Sequence, residues 1–237
     1  MFEPRPTVAA SQNTIQGVTE TSQFLPKVYG WMTAGLALTA IVAALTLSSP
    51  QFMNLIFGNK LIFYGLIFGE LGLVIALSAA INKISSTTAT LLFLGYSALN
   101  GVTFASIFLL YTSSSIASTF FVAAGTFAAM SIFGTVTKRD LTSWGSFFFM
   151  GLVGIIIASV VNIFLQNEMI YWIISYVGVF VFVGLTAYDT QKLKRIGEAG
   201  FDNEESRKKA SILGALTLYL DFINLFLMLL RVMGNRR

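Results

Sequence analysis

Seven long apolar runs occupy almost everything after residue 26, and they restrict this chain to very few folds. They are Lys27–Ser49, Leu61–Ile81, Thr87–Leu110, Ile116–Val136, Trp144–Leu165, Ile170–Tyr188 and Ile212–Val232. A helix needs about 20 apolar residues to cross the hydrocarbon core. No water is there to satisfy backbone polar groups, so a spanning run must be helical or close into a barrel. Runs of this length and unbroken apolar character predict an all-α integral membrane protein, a seven-transmembrane helical bundle over residues 27–237. Only 11% of the residues are charged, against about 25% in soluble domains, so a water-facing globule could not be covered. Pro26 and Pro50 border the first run, and no proline follows Pro50. Residues 1–26 are polar and read as a mobile N-terminal tail. They lack the apolar core of a cleavable signal, so the first span is expected to act as an uncleaved insertion signal.

Cysteine and histidine are absent. That excludes disulfides and thiolate or imidazole metal sites. It also leaves carboxylates as the groups able to respond to protons near neutral pH. The net charge of +4 is distributed as a membrane topology demands, so nucleic acid is not an expected partner. With the N-terminus cytoplasmic, Arg5, Lys27, Lys83, Lys138, Arg139, Lys192, Lys194, Arg195, Arg207, Lys208 and Lys209 fall inside, and Lys60, Arg231, Arg236 and Arg237 outside. The positive-inside rule favours this orientation, with a periplasmic C-terminus. The C-terminal arginines are its awkward group; a re-entrant seventh run would return them to the inside.

Two acids stand out against this background. Asp189 closes the sixth run and Asp221 lies within the seventh. A charge at mid-bilayer costs about 3 kcal/mol or more unless it is paired or hydrated, so such residues usually mark function. Thr217, Asp221, Asn224, Met228 and Arg231 recur at steps of three and four along one helix face. Thr186 and Asp189 line the neighbouring span, so that a hydroxyl precedes each carboxylate. Depth is the difficulty. Asp221 lies ten residues beyond Ser211, about 15 Å into the membrane, whereas Asp189 should sit near the inner boundary. The two meet only if the sixth helix continues past Lys192, tilts, or admits water. Once met, they would titrate in coupled steps. A shared proton would hold the last two helices together, double ionisation would push them apart, and the anionic pair would suit a hard cation such as Ca²⁺.

Glu70 is the other mid-run acid, with Arg231 or Lys83 as candidate partners. Asn100, Asn162 and the buried hydroxyls are expected to make interhelical hydrogen bonds. Small residues at Gly30 with Ala34, at Gly151 with Gly154 and Ala158, and at Gly184 are expected to allow close helix packing. The mixed charges from Glu198 to Lys209 read as a solvated loop.

Three stretches, VYGWMTAGLALTA from Val28, VFVGLTAYDTQKL from Val181 and GALTLYLDFINLFLMLLR from Gly214, resemble the Bax inhibitor-1 family, in its bacterial inner-membrane branch. The resemblance implies seven helices with a central one surrounded by six others, and a pH-sensitive calcium leak. It implies that Asp189 and Asp221 form the gate, pH sensor and cation site, and that Glu70 and Arg231 form a latch. A basic residue late in the second helix has no clear counterpart, Lys83 being the nearest. The segment from Thr190 to Ala210 is longer than in compact members. Thr186, Thr217, Asn224 and Lys83 are the expected supporting residues. No cofactor is expected beyond Ca²⁺ as the transported ion, and the partners are the bilayer and calcium or other cations.

The alternatives are a non-conducting regulator or scaffold of other membrane proteins, and an intramembrane aspartyl protease. Tyr188-Asp189 matches one protease motif, but Leu218-Tyr219-Leu220 precedes Asp221 where that family needs glycines, so the chain is not expected to be an enzyme.

Overall fold

The computed structural model describes residues 8–237, with side chains from residue 23 onward. The helices are α1 (Val8–Leu47), α2 (Pro50–Phe57), α3 (Lys60–Ala80), α4 (Ser86–Phe104), α5 (Ile107–Leu110), α6 (Ser113–Val136), α7 (Thr142–Leu165), α8 (Glu168–Ala199) and α9 (Glu204–Met233). Among them are seven segments long and apolar enough to cross a membrane. The protein is an all-α, multi-span membrane protein.

Polar side chains at the run borders set the helix starts. Asn59 Oδ1 accepts from Leu61 N at 3.0 Å, Ser85 Oγ from Thr88 N at 3.1 Å, Asn167 Oδ1 from Ile170 N at 3.1 Å and Asn203 Oδ1 from Ser206 N at 2.8 Å. Each satisfies an amide that the first helical turn leaves without a partner. Between α7 and α8 the chain reverses tightly. Gln166 adopts a left-handed conformation (φ 50°), and Asn162 Oδ1 accepts from Asn167 N at 2.9 Å. Asn162 thus closes a local turn where an interhelical bond was expected.

Three expected boundaries move. Helix α1 starts at Val8 and contains Pro26, so this proline removes one donor from the ladder without marking the helix start. Of the expected N-terminal tail, residues 1–7 lie outside the described residues. Helix α8 runs eleven residues past Tyr188 to Ala199, and α9 begins at Glu204, well before Ile212. The segment expected as a loop is therefore two helix ends joined at residues 200–203, turning at Gly200 (φ 78°).

The charges of that segment explain why it is ordered. Glu205 accepts from Ser86 N at 2.6 Å and Ser86 Oγ at 2.7 Å, capping α4. Arg195 donates to Asp140 at 2.7 Å and to Thr142 at 3.0 Å. Gln191 accepts from Leu141 N at 2.9 Å and donates to the Arg139 carbonyl at 2.8 Å. Each bond ties the α8–α9 hairpin to the near ends of α4, α6 and α7.

Helix α9 is the core of the bundle. Two thirds (67%) of its most apolar window is buried, against 6% for α3 and 11% for α7. It packs on α8, α1, α6 and α4, whereas α3 packs chiefly on α4 and α7 on α8. The central helix is present, and its immediate ring has four members with α3 and α7 flanking. Helix α9 runs the whole length of the bundle. Its start meets α1, where Arg207 donates to Gln23 at 2.9 Å. Its far end pairs with the α5–α6 connection through Thr112 N to the Asn235 carbonyl (3.1 Å) and Arg237 N to the Leu110 carbonyl (3.0 Å). The seventh run is not re-entrant.

Candidate functional site

Register within the α8–α9 hairpin places the two aspartates. A Cβ on Gly178 would lie 2.8 Å from Met228 Cγ, and one on Gly214 2.7 Å from Leu193 Cδ2. These contacts bracket Asp189 and Asp221 along the antiparallel pair, and the two carboxyl groups lie in electrostatic range of each other. The depth problem is resolved by the longer α8: Asp189 is ten residues inside the end of its helix, not at its border.

Asp221 is 5% exposed, and its Oδ2 is buried with no hydrogen-bond donor among the described residues. Asp189 is half-buried, with Lys192 in electrostatic range. Helices close tightly around this point. A Cβ on Gly134 of α6 would strike the backbone carbonyl of Ala187, one on Gly184 the ring of Phe148, and one on Gly145 the ring of Tyr188. Gly151 likewise faces Val181 at 2.9 Å, while Gly30 and Gly154 have nothing within 4 Å. The packing expectation therefore holds at Gly151 and Gly184 but not at Gly30 or Gly154.

The supporting residues act on their own helices. Thr186 Oγ1 donates to the Phe182 carbonyl at 2.7 Å, Thr217 Oγ1 to Leu213 at 3.1 Å and Asn224 Nδ2 to Leu220 at 2.8 Å. None of these bonds goes to a carboxylate, because a short polar side chain in a helix finds the carbonyl four residues back first. Lys83 is exposed beyond the end of α3.

Glu70 and Arg231 are not paired. Glu70 accepts from Thr103 Oγ1 at 2.5 Å, and the Arg231 guanidinium sits 5.5 Å from the Tyr171 ring centroid. Lys60 opens α3 and Met233 closes α9, so Glu70 lies about 15 Å in from that surface and Arg231 about 3 Å in, at 1.5 Å per residue. That separation in depth explains why no ion pair forms.

A second polar cluster, on the opposite side of α9, was not singled out by the sequence. Tyr219 is fully buried, and its hydroxyl lies 2.7 Å from Thr39 Oγ1, which itself donates to the Ser97 carbonyl at 2.8 Å. Tyr96 and Phe93 meet the Tyr219 ring edge-on, and Glu70 is in electrostatic range of both tyrosines. Asn100 Nδ2 is buried with no hydrogen-bond partner among the described residues, so the interhelical bond expected of it is not made. The one available signal was Thr39 and Tyr219 inside otherwise apolar stretches, which is weak because single hydroxyls are common in membrane helices.

Among the described residues no group of three or more metal-ligating acids assembles. A resident Ca²⁺ site, which takes six to eight oxygens, has only two carboxylates at Asp189 and Asp221 from which to be built.

This geometry defines a class: a seven-span helical membrane protein whose central helix carries a buried carboxyl group against a second carboxyl on its hairpin partner. The family model described as "Inhibitor of apoptosis-promoting Bax1" matches residues 21–237, and the chain belongs to this Bax inhibitor-1 family. It is similar to the "Inner membrane protein YbhL" of Escherichia coli, 55% identical over 228 residues covering 96% of this chain and 97% of that protein. An uncharacterised protein of Borreliella burgdorferi is 49% identical over 216 residues (91% and 93%). Another, of Rickettsia prowazekii, is 44% identical over 217 residues (91% and 90%).

Proposed function

We propose that this protein is a pH-sensitive cation leak of the bacterial inner membrane, with calcium as cargo and Asp189 and Asp221 as its gate. One observation carries the reading: the buried Asp221 Oδ2 has no donor, and the group in electrostatic range of it is another carboxyl. A buried acceptor without a donor costs roughly 1–3 kcal/mol. A proton held between the two acids removes that cost and fastens α8 to α9. When the pair loses its proton, like charges repel in a low-dielectric setting, the fastening fails, and the ionised oxygens face any cation that enters with water. Two carboxylates with water ligands hold Ca²⁺ transiently, as passage requires.

The name of the Escherichia coli relative supports inner-membrane placement. The distribution of basic residues supports a cytoplasmic N-terminus and a periplasmic C-terminus. Of the three C-terminal arginines that are awkward in that topology, Arg231 and Arg236 both rest on Tyr171, which supports their tolerance outside. A Glu70–Arg231 latch would belong to a different arrangement, in which Arg231 has left Tyr171 and α3 has shifted.

The test is Ca²⁺ entry into dye-loaded liposomes over roughly pH 5 to 8, the range in which a carboxyl pair must work if it replaces histidine. Flux should rise with pH in the wild type. In Asp189→Asn and Asp221→Asn it should lose most of that dependence, because an amide keeps its hydrogen bond at every pH. Absence of flux at all pH values removes the channel; unchanged pH dependence in both variants removes the gate. Partner capture in detergent that ignores both substitutions would favour the scaffold.

A further inference from the structure

We infer that the end of the bundle carrying the C-terminus binds the phosphate headgroup of an anionic phospholipid. Two guanidinium groups converge there on one ring, Arg231 at 5.5 Å and Arg236 at 5.4 Å from the Tyr171 centroid. Neither forms an ion pair among the described residues. Glu168, the nearest acid in sequence to Tyr171, accepts instead from Trp172 Nε1 at 3.5 Å. Glu168 lines a pocket with Arg236 and Tyr171 but pairs with neither arginine, and like charges brought together without an ion-paired counter-charge attract an anion from outside the chain.

The arrangement is built into the fold. The tail that carries Arg236 is pinned by the backbone pairing of Tyr111 with Arg236 and by Asn235 N donating to Ser115 Oγ at 2.8 Å. Arg236 donates to the Tyr171 hydroxyl at 2.8 Å and shares a cavity wall with Tyr111.

The cavity beside these groups has a volume of about 390 Å³. Its other walls are aliphatic: Ile107, Leu110, Leu227 and Leu230. A cavity that is cationic at one edge and aliphatic behind matches a phosphate ester joined to acyl chains better than it matches a free anion. Its position suits the same occupant. Leu110 ends one span and Met233 another, so the arginines lie at headgroup depth, where tyrosine is the usual companion.

The test uses Trp172, which is 37% exposed and adjoins Tyr171, as sole reporter after Trp31→Phe and Trp144→Phe. The full chain is reconstituted in phosphatidylcholine containing either brominated-chain phosphatidylglycerol or brominated-chain phosphatidylcholine. Brominated phosphatidylglycerol should quench at a several-fold lower mole fraction, about fivefold per arginine engaged. Arg231→Gln with Arg236→Gln should bring the ratio to one. Arg236→Gln alone, at an exposed side chain, should lower it partly. Lys138→Gln, at the other end, should leave it intact. Equal quenching by the two lipids, or a preference that survives the double substitution, overturns the proposal. So does a preference abolished by millimolar inorganic phosphate, because the ligand is then a free anion.

Discussion

Thr39 and Tyr219 bring the cost of a buried hydroxyl to a single contact. The Tyr219 hydroxyl and Thr39 Oγ1 are 2.7 Å apart, and Thr39 has the Gly35 carbonyl (2.9 Å) and the Ser97 carbonyl (2.8 Å) within reach as acceptors. Tyr219→Phe removes a donor but leaves Thr39 bonded to carbonyls, and should cost about 1 kcal/mol. Thr39→Val keeps the volume but strands the fully buried tyrosine hydroxyl, and should cost more, about 2 kcal/mol. Thermal unfolding in one detergent checks the order; an equal or reversed loss would contradict the bonding assigned here. The same contrast explains what could be read from the sequence at this scale. Asp189 and Asp221 stood out because a charge in an apolar run is rare. Tyr219 did not, because a tyrosine buries its ring as readily as a phenylalanine and its hydroxyl betrays nothing until a partner is seen.

Helix ends and helix contacts were legible to different degrees. Four of the seven expected runs, 116–136, 144–165, 170–188 and 212–232, fall inside single helices, 27–49 and 61–81 overrun theirs by one or two residues, and 87–110 is split between α4 and α5. Capping residues such as Asn59, Ser85 and Asn167 could have been read as starts. The stretch from Thr190 to Ala210 departs furthest, because a run of mixed charge reads as a solvated loop. Its charges instead serve as anchors, Arg195 on Asp140 and Glu205 on Ser86. The Asp140 carboxyl is held well below the usual carboxylate range, first by the Thr142 hydroxyl and then by Arg195. A depressed carboxyl contributes its stabilisation above its ordinary value near 3.8 and loses it as pH falls further. This anchor is therefore constant across the range of the flux experiment and does not mimic the gate. Close approach is tested at glycine. Gly134→Ala places a methyl against the Ala187 carbonyl and should cost about 1–3 kcal/mol. Gly30→Ala, with open space around it, should be neutral or stabilising by about 0.5–1 kcal/mol. Melting curves of the two variants in the same detergent should separate by several degrees; coincident curves would contradict the α6–α8 contact.

At the scale of the whole molecule, the central helix separates two polar regions. Asp221 faces α8 on one side of α9, and Tyr219, with Thr39 and Tyr96, faces α1 and α4 on the other. The sequence announced seven spans and two costly acids, yet it could not announce which helix would be central. That depends on which faces find partners, and the apolar surfaces of α3 and α9 look alike until packing buries one and leaves the other to lipid. Nor could it place Glu70 against Thr103, a contact that joins α3 to α4 across 33 positions. The gate proposed above is a proton held between Asp189 and Asp221. Infrared difference spectroscopy of the reconstituted protein, titrated over roughly pH 5 to 8, reads that proton in the carbonyl stretch of a protonated carboxyl group. One such band should fade as pH rises and be lost or displaced in both Asp189→Asn and Asp221→Asn. A band that titrates identically in the wild type and in both variants would contradict the shared proton and with it the gate.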